Sequence, residues 1–246
     1  METEETILSE STGRSALLEE IESEILQRNI LGVLDVLQQN RYQNFQPAKL
    51  IAVTKTVSPQ IIEMLKPLKT LDIGENRVQT VLPKLKKISP DFRLHWIGRL
   101  QSNKVNDIIE VVCMIHSLDR ESLAQEINRR AGVCGRVIPA LVQVNIARES
   151  QKTGVDITEL RPFLHRLKRF SNIQVSGLMA MMPLDADEAA LTTWFRGMRT
   201  LFDELREEAI EGIRMDELSM GMSNDYAIAA REGATMVRVG TALFRP

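Results

Sequence analysis

LIAVTKT, residues Leu50 to Thr56, decides how the rest of the chain is read. The run stays apolar until Lys55, and a strand covered on both faces looks like this, because alternation is lost when neither face meets water. Such strands belong to parallel α/β sheets, whose carboxyl ends carry the chemistry. Lys55 is therefore expected at or near a strand end. A lysine held in an apolar mouth loses hydration of its ammonium form, which favours the neutral amine, a nucleophile toward aldehydes. The plain alternative is a strand-end lysine that reaches out to water.

On the amino-terminal side, apolar residues from Arg14 to Gln39 recur at three and four, which predicts a leading helix with a break near Gly32 and a loosely ordered segment 1–13 before it. On the carboxyl-terminal side the units repeat. Ser58 and Pro59 cap the next helix. Strands are predicted at Leu71 to Gly74, Arg93 to Ile97, Cys113 to Ser117, Val137 to Ile146, Ile173 to Met179, Glu217 to Met220 and Met236 to Val239, with helical patterns between them. Strand and helix alternating eight times predict a single α/β domain over 14–246, a (β/α)8 TIM-type barrel with an extra amino-terminal helix. The competing open doubly wound sheet lacks a glycine-rich dinucleotide loop after the first strand.

Composition narrows the function. With 31 basic and 33 acidic residues the net charge is −2, so neither nucleic acid nor an anionic membrane is expected as partner. Cys113 and Cys134 lack CxxC spacing, and His95, His116 and His165 form no ligand-like cluster, so no metal or disulfide is expected. The acidic start, METEETILSESTGR, resembles no signal or transit peptide, and the expected compartment is the cytoplasm.

The strand ends are polar: Lys55, Glu75 with Asn76, Gly98 with Gln101 to Lys104, Asn145, Met179 to Pro183, SMGMSND (Ser219 to Asp225) and RVGT (Arg238 to Thr241). Phosphate sites in such barrels are commonly built after strands seven and eight, where Gly221, Ser223, Gly240 and Thr241 offer close backbone approach, amides and hydroxyls. A phosphate cradle opposite a reactive lysine describes a site for a phosphorylated aldehyde. Pyridoxal 5′-phosphate (PLP) fits that description, and so does the substrate of a cofactor-free Schiff-base aldolase.

The strings IAVTKT, IGENRVQ (Ile73 to Gln79), HWIGRLQSNK (His95 to Lys104), SLDR (Ser117 to Arg120), VNIARESQKTG (Val144 to Gly154), GLMAM (Gly177 to Met181), LSMGMSND and MVRVGTALF (Met236 to Phe244) together resemble the pyridoxal-phosphate homeostasis protein family. That family is similar to the amino-terminal barrel domain of alanine racemase, of fold type III. The resemblance implies PLP held covalently on Lys55 as a Schiff base, its phosphate bound by Ser223, Gly240 and Thr241, its pyridine nitrogen facing Arg238, and Asn76 lining the pocket. An arginine there disfavours ring protonation and weakens the electron sink. Val57 departs from the basic residue often found two places after the lysine, whereas Lys152 matches a basic position of the family. His95 and the methionines Met179, Met181, Met182, Met220 and Met222 are read as packing the barrel or lining its mouth.

Racemisation needs acid/base groups on both faces of Cα. In alanine racemase the second is a tyrosine from another, β-rich domain, which is not expected here, and neither Tyr42 nor Tyr226 is placed by a motif to replace it. The resemblance thus implies a PLP carrier that holds, delivers or senses the cofactor, with apo PLP-dependent enzymes as partners and a monomer or weak dimer as its state. A slow amino-acid racemase is the alternative, and the aldolase a further one.

Overall fold

The computed structural model describes Leu18 and residues 21–147, 153–183 and 185–245. Eight strands, β1 (Lys49–Val53), β2 (Asp72–Glu75), β3 (Arg93–Trp96), β4 (Val112–Leu118), β5 (Ile138–Val144), β6 (Ile173–Ala180), β7 (Ile213–Ser219) and β8 (Met236–Val239), pair in chain order. Every pairing is parallel, and β1 closes the barrel by pairing with β8 from Lys49↔Met236 to Ala52↔Val239. Helix α1 (Ser23–Gln39) precedes the barrel. The connections carry α2 (Pro59–Glu63), α3 (Val78–Leu85), a 3-10 turn at Ser102–Lys104 running into α4 (Val105–Ile108), α5 (Glu121–Val133), α6 (Ile157–Leu167), α7 (Glu188–Glu208) and α8 (Tyr226–Arg231), and α9 (Thr241–Phe244) follows β8. This is the (β/α)8 barrel that the alternation predicts.

Two-sided burial explains the apolar strands. Leu50, Ala52, Ala140, Val142, Leu178, Ala180 and Val237 join the core between sheet and helices. The alternate residues Ile51, Leu141, Met179 and Met236 are equally buried but lie outside that cluster, as expected of side chains filling the barrel interior. Helix starts follow capping chemistry: Ser58 accepts from the amide of Ile61 at 3.4 Å and Asp187 from that of Ala190 at 2.8 Å.

Several expectations need correction. Helix α1 starts at Ser23 rather than Arg14, because Leu18 is committed to a parallel bridge with Val57: its N–H donates to Thr56 O and its carbonyl accepts from Ser58 N. Positions 14–17, segment 1–13 and Lys152 lie outside the described residues. The helix passes Gly32 without a break, since that glycine faces open space and only its propensity opposes continuation. Strand β7 begins at Ile213, four residues ahead of the expected start, where Arg214 and Asp216 pair with each other at 2.7 Å and obscure the apolar pattern. The methionines divide: Met179, Met182 and Met220 are buried, while Met181 is exposed at the barrel mouth.

Strand β1 stops at Val53, and the turn after it rests on a buried ion pair. Lys84 Nζ donates to Thr54 O at 2.8 Å and to Glu75 Oε1 at 3.0 Å, and Thr54 Oγ1 donates to the same carboxylate oxygen at 2.8 Å. Burial pushes the Glu75 carboxyl up, and the Lys84 ammonium works against that rise. Removing Lys84 leaves a buried carboxylate without its counter-charge. Lys84→Met is expected to cost about 3–5 kcal/mol at neutral pH by urea unfolding. The loss should shrink as the pH falls toward the ordinary carboxylate range, because a carboxyl raised by burial takes up its proton above that range; an unchanged loss at acid pH would rule this origin out.

Candidate functional site

The carboxyl ends of the strands surround a cavity of about 620 Å3. This lies within the roughly 300–1,000 Å3 common for small-ligand sites. Lys55, Asn76, Ser223, Arg238, Gly240 and Thr241, all six residues singled out in the sequence, line it together. Closure of the barrel does this: β1, β2 and β8 are neighbours, so Lys55, Asn76 and Arg238 with Gly240 come from adjacent strand ends, and Ser223 follows β7.

Lys55 is not desolvated as expected. It sits in the turn after β1 and is exposed, because the apolar strand ends before it and Thr54, not Lys55, takes the buried position. The turn itself is pinned: Thr54 O accepts from Val57 N and Lys84 Nζ, Thr54 N donates to Gly74 O, and Thr56 O accepts from Leu18 N. The Lys55 ammonium lies near enough to Glu75 to favour its charged form, yet makes no ion pair within 4 Å among the described residues. A fixed backbone thus presents the Lys55 side chain at the cavity.

Opposite it, Ser223 Oγ accepts from the amides of Gly240 at 3.1 Å and Ala242 at 3.3 Å, which draws the β7 and β8 loops together. Gly221 makes this loop possible: its φ is +94°, and a Cβ there would lie 2.6 Å from Ala229 Cβ. Gly98 serves β3 in a different way, since a Cβ would lie 2.8 Å from Asn76 Cα and push that residue aside. Asp225 accepts from the Met222 amide; burial pushes its carboxyl up, and the Arg238 charge opposes this.

Arg238 is the terminus of a hydrogen-bonded chain through the barrel interior. Arg238 Nη1 donates to Ser219 Oγ at 2.7 Å, Ser219 Oγ meets His116 Nδ1 at 2.9 Å, His116 Nε2 meets His95 Nδ1 at 2.9 Å, and His95 Nε2 meets Asp72 Oδ1 at 2.9 Å. Since a guanidinium only donates, Ser219 Oγ accepts from Arg238. At the other end the Asp72 carboxylate accepts from His95 Nε2. Burial pushes His116 well below its ordinary value, which keeps that imidazole neutral. The second amine of Arg238 donates to Ala180 O at 2.8 Å. Burial pulls the guanidinium down to about 10 against the nearby Asp225, which leaves it charged at neutral pH. Asp72 behaves conversely: burial pushes its carboxyl up, but hydrogen bonds from His95 and Arg93 outweigh this and hold it below the carboxylate range.

A family model described as the alanine racemase N-terminal domain matches residues 34–246. The pyridoxal phosphate homeostasis protein of Aquifex aeolicus is 40% identical over 198 residues, which span 80% of this chain and 86% of that one. The chain belongs to the pyridoxal phosphate homeostasis protein family. The member from Synechocystis is 34% identical over 80% of this chain and 90% of its own length. Among solved structures, PipY of Synechococcus elongatus PCC7942 without PLP superposes with a TM-score of 0.81 at 35% identity, covering 89% of this chain and all of PipY. The PipY structure with PLP bound gives 0.79 at 34% identity, covering 89% of this chain and 100% of PipY. Alanine racemase of Clostridium difficile shares the fold at 15% identity, with a TM-score of 0.71 over 90% of this chain and 56% of its own.

Against this family background, the polar chain is what sequence reading missed. The sequence reading assigns His95 to packing and sees no ligand-like cluster among the histidines, and His95 meets His116 only because β3 and β4 are neighbours. Gln143 on β5 and Arg245 after α9, which lie outside the quoted strings, also line the cavity, as do Thr153 and Asp225 from within them. Ser219→Ala would strand both Arg238 and His116, with an expected loss of about 1–3 kcal/mol. Because the Asp72 carboxyl is depressed when folded, it adds stability above its ordinary value of 3.8, and that contribution fades as the pH falls through the folded value. Asp72→Asn should therefore flatten the fall of stability in acid; a denaturation series from neutral to acid pH showing identical slopes for both proteins would contradict this.

Proposed function

We propose that this protein binds PLP through Lys55 and serves PLP homeostasis by holding, delivering or sensing the cofactor, without robust turnover. The observation that carries the reading is the convergence of a lysine side chain with no ion pair among the described residues, a serine-anchored loop and a buried guanidinium on one cavity. The residues present fit such a group: besides these, Asn76 lines the cavity with a buried Oδ1 that has no donor among the described residues. A relative of the same family, PipY, has been solved with PLP bound.

When bound, PLP supplies an aldehyde that condenses with a lysine amine with loss of water, and a ring that withdraws electrons. This chain's part is to fix the amine on the pinned 54–57 turn and to receive the phosphate among Ser223, Gly240 and Thr241. Arg238, held by Ser219 and the Ala180 carbonyl, would offer a fixed positive charge to the ring of a bound cofactor and so discourage its protonation, which argues for a carrier over an electron sink. The same reading follows from the tyrosines. Tyr42 stacks under the Arg199 guanidinium and Tyr226 packs on the core, and neither lines the cavity as a second base for racemisation would. Apo PLP-dependent enzymes are the proposed recipients, a monomer or weak dimer the proposed state, and the cytoplasm the proposed compartment. No helix among the described residues is long and apolar enough to cross a membrane.

The test is a visible spectrum followed by borohydride reduction and peptide mapping. The purified protein should be yellow, and the reduced adduct should map to Lys55. Lys55→Ala should lose the absorbance while keeping its far-ultraviolet circular dichroism, since an exposed side chain contributes little to the core. Retained absorbance in that variant would refute the assignment. Exchange of Cα protons of amino acids with solvent deuterium would point to a racemase instead. PLP reaching an apo-enzyme faster than it is released spontaneously would establish delivery over storage.

A further inference from the structure

A second cavity, of about 580 Å3, lies beside the first, between the ends of β2 and β3, the Ser102–Lys104 turn and the start of α5. Four cationic side chains, Arg77, Arg99, Lys104 and Arg120, line it, and its lining contains no carboxylate. Two of them are neutralised: Arg120 by Asp119 at 2.6 Å and Lys104 by Asp107 at 3.5 Å. Arg77 and Arg99 have no ion pair among the described residues. A concave wall carrying one sign of charge over a low-dielectric floor focuses its potential, and guanidinium forks match phosphate oxygens in geometry.

Trp96 lines the same cavity and is only 2% exposed, so an indole forms part of its floor. We infer that this cavity is a second binding site, which takes a small phosphomonoester. Such an ester carries about −1.5 to −2 charges at neutral pH, matching the two unpaired arginines. The overall charge of −2 disfavours an extended nucleic-acid track, and the cavity has the volume of a small-molecule site. The inference stands apart from the PLP reading, although Asn76 and Arg99 line both cavities.

The chain has two tryptophans, so Trp194→Phe leaves Trp96 as the sole indole reporter. In that background, titration with glycerol 3-phosphate should change the fluorescence with a Kd below about 1 mM, and glycerol should not. Adding Arg77→Ala and Lys104→Ala, which touch only the second cavity, should weaken binding by about tenfold or more. Adding Ser223→Asp, which places a carboxylate against the amides of the first cavity, should leave it intact. If the double change prevents folding, Arg77→Ala alone carries the test, with about threefold weakening or more expected at this exposed residue. No response at Trp96, a response untouched by the Arg77 and Lys104 changes, or one abolished by Ser223→Asp would each overturn the second site without touching the PLP reading. A uridine oligonucleotide binding more tightly than glycerol 3-phosphate would assign the surface to nucleic acid and overturn the small-ester reading.

Discussion

The pairing of β1 with β8, from Lys49↔Met236 to Ala52↔Val239, is the constraint on which the rest of this molecule depends. An open sheet of the same strands would hold the Lys55 turn and the Arg238 to Thr241 segment on opposite edges. Closure makes them neighbours and faces an amine toward a loop of amides across one cavity. Register matters as much as closure. Because side chains alternate along a strand, Arg238 enters the barrel while Val237 and Val239 join the outer core, and a one-residue slip would exchange them.

A barrel interior is usually filled by branched apolar side chains. Here part of it is a chain of polar groups from Asp72 to Arg238, and it is tolerable because each donor finds an acceptor. The chain joins an acid near the amino-terminal rim to a cation in the cavity wall through two imidazoles. It holds the guanidinium in one orientation through Ser219, while the Ala180 carbonyl takes its second amine. The Glu75–Lys84 pair plays a comparable part outside the barrel, fixing the carbonyl of Thr54 so that the following lysine projects from a rigid turn.

The strand and helix alternation, and with it the barrel, were legible because burial on both faces leaves a continuous apolar run and capping residues mark the helix starts. Ser58, Gly221 and Ser223 could be read for the same local reason. The start of α1 could not, because the bridge from Leu18 to Val57 joins segments far apart in the chain, and periodicity takes no account of such a partner. Nor could the exposure of Lys55, since its local pattern does not show where pairing with β2 and β8 stops.

By itself the sequence determined which backbone segments are strands and helices, which loops carry glycine and hydroxyls, and which lysine follows the first strand, because these depend on side chains a few residues apart. Only the tertiary structure decided that six dispersed residues share one cavity, that His95 and His116 bond to each other, and that Trp96 sits with Arg77 and Arg99 in a neighbouring hollow. The reason is physical: proximity across strands is set by closure and register, and those are properties of the whole barrel that no local stretch encodes.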